Sequence, residues 1–332
     1  MSQGSFEMIN EVKGLANEGR FAEVVALLER QPRDQVEESP TLALLFGTAH
    51  ARLGRHDEGD LWVARALERS TQSGDNDVKA RALNVLGAIA LEDGRIEDAA
   101  GHFASALDAA KSLEDHVTLG LSSNNLGIVA NLRGEYGTAI GSYTIALAAF
   151  QQADMQSGVA MIHHNRAITF RDEGKMAEAL DEANRAVDSA ASSNDVAMHA
   201  QALAGRAELR VLDGDVQLAS KDIEGALSKH REIDDSVGVA EDTRIKGLVA
   251  AADGSLEQGK TFLRFAADVA LRHGRPLLIA TACKDLARLL ADEGNTAEAI
   301  QEAQKARALF SKLGATVEVD RIDRFIEELA GK

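Results

Sequence analysis

The chain has 332 residues with 36 basic and 53 acidic side chains, and its net charge of −17 argues against nucleic acid or an anionic membrane as a general partner. Its single cysteine, Cys283, has no partner for an internal disulfide, and the polar start Met1 to Arg20 lacks the apolar run of a secretion signal. No stretch of about 18 apolar residues occurs, so we expect a cytoplasmic protein without a membrane span. A hydrophobic fraction of 45% with only 4% aromatics suits a core of small aliphatic contacts between helices.

The first predicted segment, residues 1–40, is a helical hairpin followed by a linker. Gly19 marks the turn of the hairpin, and Gln31 to Pro40 holds two prolines. Proline removes a backbone donor and restricts the residue before it. We therefore expect this hairpin to be set off at a slightly different angle from the rest.

A 40-residue period follows, over residues 41–315. Each repeat carries a glycine and, twelve residues later, an alanine. The glycines are Gly54, Gly94, Gly134, Gly174, Gly214, Gly254 and Gly294, and the alanines are Ala66, Ala106, Ala146, Ala186, Ala226, Ala266 and Ala306. Apolar and small residues before each glycine have helical spacing, as in Leu83, Leu86, Gly87 and Ala90. The pattern predicts seven hairpins in which the glycine closes one helix in a left-handed conformation and a second helix follows.

Further columns support this register. A small residue recurs five positions after each glycine, where it would let two helix axes approach closely: Gly59, Ala99, Ala139, Ala179, Ala219, Gly259 and Ala299. Turn-prone pairs separate the repeats at Gly74-Asp75, Glu114-Asp115, Asn194-Asp195 and Asp234-Asp235. In residues 316–332 one apolar stripe predicts a capping helix: Val319, Ile322, Phe325, Ile326 and Leu329.

These columns resemble the tetratricopeptide repeat family. The best repeat reads Asn124-Asn125-Leu126-Gly127, then Arg133-Gly134-Glu135-Tyr136, then Ala139, Tyr143 and Ala146. Two features depart from the family: the closing proline is missing, and the period of 40 exceeds the usual roughly 34 residues. Longer helices account for the longer period, as in the subgroup that includes kinesin light chains and spindle-orientation adaptors. The resemblance implies an all-α, right-handed superhelical solenoid of about eight hairpins with a C-terminal capping helix.

One segment matches a catalytic motif. Gly254, Gly259, Lys260 and Thr261 occupy every fixed position of the nucleotide-binding pattern GxxxxGK[ST]. A phosphate loop follows a strand, whereas a helix is predicted over Thr243 to Asp253, so we interpret the glycines as repeat columns and Lys260 as a solvated helix residue. We expect no bound nucleotide.

Metal and catalytic chemistry have little support elsewhere in the chain. The adjacent His163 and His164 would point about 100° apart on a helix and could not share one metal. Since no acid, base and nucleophile converge, we expect neither a cofactor nor an enzyme.

The resemblance implies that the first helix of each hairpin lines a concave groove. Ten and nine residues before the turn glycines lie Asn84-Val85, Asn124-Asn125, His164-Asn165, Ala204-Gly205, Arg244-Ile245 and Lys284-Asp285. A carboxamide offers donors and an acceptor, so it can pair with a peptide group. We predict that the groove binds a peptide through Asn84, Asn124, Asn125, His164 and Asn165, with Arg171, Arg206, Arg244, Lys284 and Arg288 supplying positive charge.

The predicted function is that of an adaptor or scaffold that binds an extended peptide or a partner surface. The basic set predicts acidic residues in that ligand, although Glu208, Glu241 and Asp285 lie among the basic residues. A peptide-responsive signalling regulator is the alternative. Such regulators usually add an N-terminal effector module, for which the 18 residues before Gly19 are too few. Homo-oligomers are compatible with the pattern.

Overall fold

The structure, a computed structural model, describes residues 3–331, with side chains from residue 6 onward. Over that range the chain forms eighteen helices and no strand, which confirms the predicted all-α class. Met1 and Ser2 of the predicted first segment and Lys332 of the predicted cap lie outside the described residues. No helix in the described range is long and apolar enough to cross a membrane.

The first compact unit comprises residues 1–129. Its helices are α1 (Gln3–Asn17), α2 (Phe21–Leu28), α3 (Arg33–Glu38), α4 (Pro40–Arg52), α5 (His56–Ser73), α6 (Asn76–Glu92), α7 (Ile96–Leu113) and most of α8 (His116–Leu132). The short α3 was not predicted. It follows Pro32 and packs Val36 into the cluster that joins the first hairpin to α4. The two prolines therefore bound an extra helical turn, because proline is well tolerated where a helix begins.

The second unit comprises residues 130–332. After the end of α8 its helices are α9 (Tyr136–Gln152), α10 (Gln156–Asp172), α11 (Met176–Ala191), α12 (Val196–Asp213), α13 (Val216–Glu232), α14 (Ser236–Ala252), α15 (Leu256–Arg272), α16 (Pro276–Asp292), α17 (Thr296–Lys312) and α18 (Thr316–Ala330). Consecutive helices pack as antiparallel hairpins, and first helices of successive hairpins also contact one another: α10 with α12, α12 with α14, and α14 with α16.

The turns follow the predicted register. All seven glycines of the 40-residue column, and Gly19, adopt positive φ between +73° and +90°. Between repeats the same left-handed conformation falls on four residues with side chains: Glu114, Asp154, Asn194 and Asp234. An aspartate follows three of these four and accepts a backbone N–H from the next helix, as in the 2.9 Å bond from Gly238 N to Asp235 Oδ1. Aspartate caps thus begin the first helices that follow these turns.

The predicted small-residue columns form the helix contacts. Every alanine in the two columns is at most 1% exposed. At Gly87 the contact is closer still, because an added Cβ would lie 2.5 Å from the Phe103 ring. Small residues therefore set the distance between the helices of a hairpin.

The last helix caps the second unit as predicted. Its apolar stripe buries Ile322 against α17 residues such as Phe310 and Leu329 against Leu286 and Leu290 of α16. Burying a leucine or isoleucine side chain contributes roughly 1.5–3 kcal/mol. The cap is thus held by its apolar face, which leaves its polar face for other contacts.

Candidate binding groove

The first helices of the second unit surround a cavity of about 480 Å³, called here the groove cavity. It is lined by Arg171 and Asp172 of α10, Glu208, Val211 and Leu212 of α12, Leu248, Ala251 and Ala252 of α14, Leu256 of α15, Lys284, Asp285, Arg288, Leu289 and Asp292 of α16, and Glu318 and Arg321 of α18. Several of these residues occupy equivalent positions in successive repeats. Glu208, Leu248 and Arg288 each lie six residues before a turn glycine, and Arg171 and Val211 lie three before. Helical spacing places such positions on one face of each helix.

A network of ion pairs forms one side of the cavity. The Arg244 guanidinium lies 3.0 Å from a carboxylate oxygen of Glu208 and 2.5 Å from one of Asp285. Arg171 lies 3.7 Å from Glu208 and 2.9 Å from Asp172. Burial alone would raise the pKa of the Glu208 carboxyl, but the charges of Arg244 and Arg171 lower it to about 2. The Glu208 carboxylate is therefore ionised, and it pairs with the guanidinium groups of Arg244 and Arg171.

The capping helix closes the network. Glu318 of α18 accepts from Lys284 Nζ at 2.8 Å and from Arg321 at 2.5 Å. Arg321 also donates to the backbone oxygen of Asp172 at the end of α10, at 3.0 Å across 149 residues of sequence. Burial opposes ionisation of Glu318, yet the nearby Lys284 charge and hydrogen bonds lower the pKa of its carboxyl. Helix α18 thus contacts both α10 and α16, the first and last of the first helices that line the cavity.

Two charged side chains of the cavity are solvent-exposed, Arg288 and Asp292, one turn apart on α16. Among the described side chains neither lies within 4 Å of an oppositely charged group. Val211, Leu212, Leu248 and Leu256 supply an apolar surface on α12, α14 and α15. The groove cavity therefore combines apolar area with charges that can still be paired, as ligand sites generally do.

Four of the five predicted basic residues come together here. Arg171, Lys284 and Arg288 line the groove cavity, and Arg244, 9% exposed, lies behind Glu208 and Asp285. Three of them are already paired with carboxylates of this chain: Arg171, Arg244 and Lys284. Of these four, only Arg288 has no carboxylate of the described side chains within 4 Å.

The structure does not place Arg206 in the groove cavity. Its guanidinium binds Asp222 of α13, with Nε at 2.7 Å, and does not line the cavity. Arg206 lies eight residues before its turn glycine, about 200° around the helix from the positions six and ten before. Arg166 lies at the equivalent position and likewise binds an acid of a second helix, Glu182, at 3.1 Å. This column faces the second helices.

His164 is buried rather than available in the groove. It is 9% exposed and packs against Gly205, where an added Cβ would lie 2.6 Å from the ring. Burial lowers the pKa of His164 to about 4. Its neighbour His163 bonds Glu182 of α11 at 2.6 Å, and Asn165 is half-buried. The histidine therefore belongs to the packing between hairpins.

The other predicted asparagines belong to the first unit. Asn84 Oδ1 accepts from Asn125 Nδ2 at 3.2 Å and from the Ser122 hydroxyl at 3.3 Å. Asn124, only 3% exposed, donates to Asn125 Oδ1 at 3.2 Å. The structure thus brings Asn84, Asn124 and Asn125 together, but as a bonded cluster in which one asparagine is buried.

The segment that matches a phosphate loop joins two helices, α14 and α15. The prediction that Lys260 is solvated was wrong: it is 5% exposed, and its Nζ lies 2.6 Å from both Glu257 and Glu293. A lysine held by two carboxylates is not presented to a phosphate. Among the described residues no group of three or more His, Cys, Asp or Glu side chains is placed to hold a metal ion.

Sequence analysis noted Glu208 and Asp285 among the basic residues but did not predict that they pair with them, and it missed the contribution of α18. The column six residues before the turn glycine, which Glu208 shares with Arg288, places Glu208 in the cavity. The contact of Arg321 with Asp172 has no local signal, since it joins residues 149 apart.

Comparison with known proteins agrees with this fold. Residues 38–112 match the family described as tetratricopeptide repeat. The regulatory protein AfsR of Streptomyces coelicolor is 32% identical over 120 residues, a match that spans 36% of this chain and 12% of AfsR.

Two solved structures resemble nearly the whole chain. A Rap protein complexed with Competence and Sporulation Factor superposes with a TM-score of 0.63 at 12% identity, over 99% of this chain and 98% of the Rap chain. The apo form of the quorum sensor NprR from B. thuringiensis gives 0.53 at 16% identity, over 98% and 97% of the two chains. Together with the 40-residue columns and the hairpins they form, these matches show that the chain has the fold of a tetratricopeptide repeat solenoid.

Proposed function

We propose that this protein binds an extended peptide, or an extended segment of a partner protein, in the groove cavity of its second unit, and so acts as an adaptor. The observation that carries the proposal is the cavity itself, in which four first helices and the capping helix present apolar and charged side chains to one space. Repeat proteins commonly bind partners on such surfaces.

The size and chemistry of the groove cavity suit a few residues of extended chain. A volume of about 480 Å³ lies within the range of roughly 300–1,000 Å³ typical of ligand sites. Leu212 and Leu248 would contact apolar side chains of the ligand, and Arg288 would pair with an acidic one. Asp292, one turn along α16, would accept from the ligand backbone or from a basic side chain.

Selection from a random decapeptide library tests the proposal. Peptides enriched on the wild-type protein are measured against Arg288→Glu, which reverses the exposed charge in the groove cavity. The matched control is Arg264→Glu, the same change at a half-exposed residue of α15 outside the cavity. We expect Arg288→Glu to weaken the selected peptides at least tenfold and Arg264→Glu to change them less than twofold. Equal effects of the two variants would place the ligand elsewhere.

A peptide-responsive regulator is the second candidate, and the comparisons favour it. One similar structure is a Rap protein complexed with Competence and Sporulation Factor, another is the quorum sensor NprR, and AfsR is a regulatory protein. In a regulator, the peptide would change the contact of α18 with α10. Hydrogen exchange with and without a selected peptide distinguishes the two functions. A regulator should lose protection in α18 as its contact with α10 opens, whereas an adaptor should only gain protection in the helices that line the cavity, α18 included.

A further inference from the structure

We propose that the ligand of the groove cavity presents carboxylates to α16, and that Glu318 of α18 occupies one of those carboxylate positions in the free protein. This inference rests on the proposed function and adds the chemical class of the ligand and the means by which the site is kept closed.

The position of Glu318 carries the argument. Its carboxylate lies inside the groove cavity, 20% exposed, with one oxygen 2.8 Å from Lys284 Nζ and the other 2.5 Å from Arg321. Lys284 lies on α16, whereas Glu318 lies on the cap, so this pair joins two separate elements of the cavity. A ligand carboxylate at the same place would make the same charge-assisted bonds.

The remaining contacts show that Glu318 can leave without undoing the cap. The apolar stripe holds α18 through Ile322 and Leu329, and Arg321 keeps its bond to the Asp172 carbonyl. Rotation of one side chain would therefore free Lys284 while the helix stays in place.

The net charge of the groove cavity depends on whether Glu318 lies in it. Five cations, Arg171, Arg244, Lys284, Arg288 and Arg321, face five carboxylates, Asp172, Glu208, Asp285, Asp292 and Glu318, in and behind the cavity. With Glu318 displaced, the group carries one net positive charge. One incoming carboxylate at Lys284 restores neutrality, and a second one pairs with Arg288, which has no carboxylate of the described side chains within 4 Å.

The spacing on α16 specifies the ligand further. Lys284 and Arg288 are four residues apart, about 6 Å along a helix, and alternate side chains of an extended peptide are separated by about 6.6 Å. Two acidic residues separated by one position would meet both cations. The residue between them would point to the opposite wall, which holds Val211, Leu212 and Leu248. The expected ligand is an extended segment of the pattern acidic, apolar, acidic.

The test uses a fluorescein-labelled probe peptide of sequence Leu-Glu-Leu-Glu-Leu with blocked ends, and a second probe with glutamine in place of glutamate. Binding is measured by fluorescence anisotropy to the wild-type chain, Glu318→Gln and Asp292→Asn. Both substitutions remove one negative charge from the cavity, but only Glu318 is bonded to cations. We expect Glu318→Gln to bind the glutamate probe at least tenfold more tightly than the wild-type chain, and Asp292→Asn to gain threefold or less.

Two further measurements complete the test. The double variant Lys284→Gln with Glu318→Gln should lose the gain, since the released cation is then absent. Glu318→Asp keeps the charge and the helix but shortens the side chain, and it should gain about threefold. Circular dichroism verifies that each variant is folded.

The outcomes separate the two proposals. If Glu318→Gln and Asp292→Asn bind the glutamate probe equally, or if the glutamine probe gains as much as the glutamate probe, Glu318 holds no ligand position, although groove binding stands. If neither probe binds any of the proteins, this inference is refuted, whereas the proposed peptide-binding function is decided by the library selection.

Discussion

Glu208 provides a quantitative test of the buried network. Its carboxyl has an ordinary pKa of 4.5, which the charges of Arg244 and Arg171 lower to about 2 against the effect of burial. A difference of about 2.5 units corresponds to about 3 kcal/mol of stability. Because the folded-state pKa is the lower one, this contribution is present above pH 4.5 and is lost as the pH falls towards 2. Glu208→Gln, which imitates the protonated acid, should therefore cost about 3 kcal/mol at pH 7.

Urea unfolding followed by circular dichroism at pH 7 and at pH 2.5 measures this loss. The matched control is Glu298→Gln, since Glu298 makes an exposed pair with Arg264 at 3.5 Å. Exposed pairs contribute about 0–1 kcal/mol, so the control should unfold much like the wild-type chain. Most of the difference between Glu208→Gln and the wild-type chain should disappear at pH 2.5. A loss below about 1 kcal/mol at pH 7, or one that is independent of pH, would show that the network does not hold Glu208 ionised.

Three other predictions concern packing, nucleotide binding and acid stability. Gly87→Ala should cost about 1–3 kcal/mol in thermal unfolding, because its Cβ would lie 2.5 Å from the Phe103 ring, whereas Gly101→Ala, with nothing within 4 Å, should be neutral or slightly stabilising. Isothermal titration with Mg-ATP should give no binding heat, and micromolar binding abolished by Lys260→Ala would contradict our interpretation of that segment. Burial lowers the pKa of His164 from 6.5 to about 4, so the unfolded chain binds the extra proton and stability should fall by up to about 3 kcal/mol between pH 6.5 and 4. His164→Gln should remove this part of the acid sensitivity in urea midpoints measured at pH 7.5, 5.5 and 4, and an unchanged pH dependence would contradict the assignment.

The repeat was predictable because its signals are local. A turn glycine, a small residue five positions later and an alanine twelve positions later report contacts within one hairpin, and the structure places them as expected. The cap was predictable for the same reason, since the stripe that includes Ile322 and Leu329 lies on one helix.

The candidate site was predictable only in part. The columns that place Lys284 and Arg288 in the cavity follow from helical periodicity, but the same periodicity turns Arg206 towards Asp222. Whether a basic side chain is free or paired depends on its neighbours in adjacent hairpins. Arg244, for example, reaches Asp285 across 41 residues. A sequence pattern gives the face of a helix, whereas the pairing of charges requires the positions of several helices.

The contact of Arg321 with Asp172 also has a kinetic consequence. Contacts between successive first helices close loops of about 40 residues, as Arg244 and Asp285 do, whereas Arg321 and Asp172 are 149 residues apart. Loop-closure entropy makes the longer loop about 1 kcal/mol less favourable to close. In refolding, the hairpins of the second unit should therefore assemble before α18 reaches α10. In the native protein, this junction should be among the first to reopen, so exchange of the amides that it protects should precede exchange in the hairpins between them.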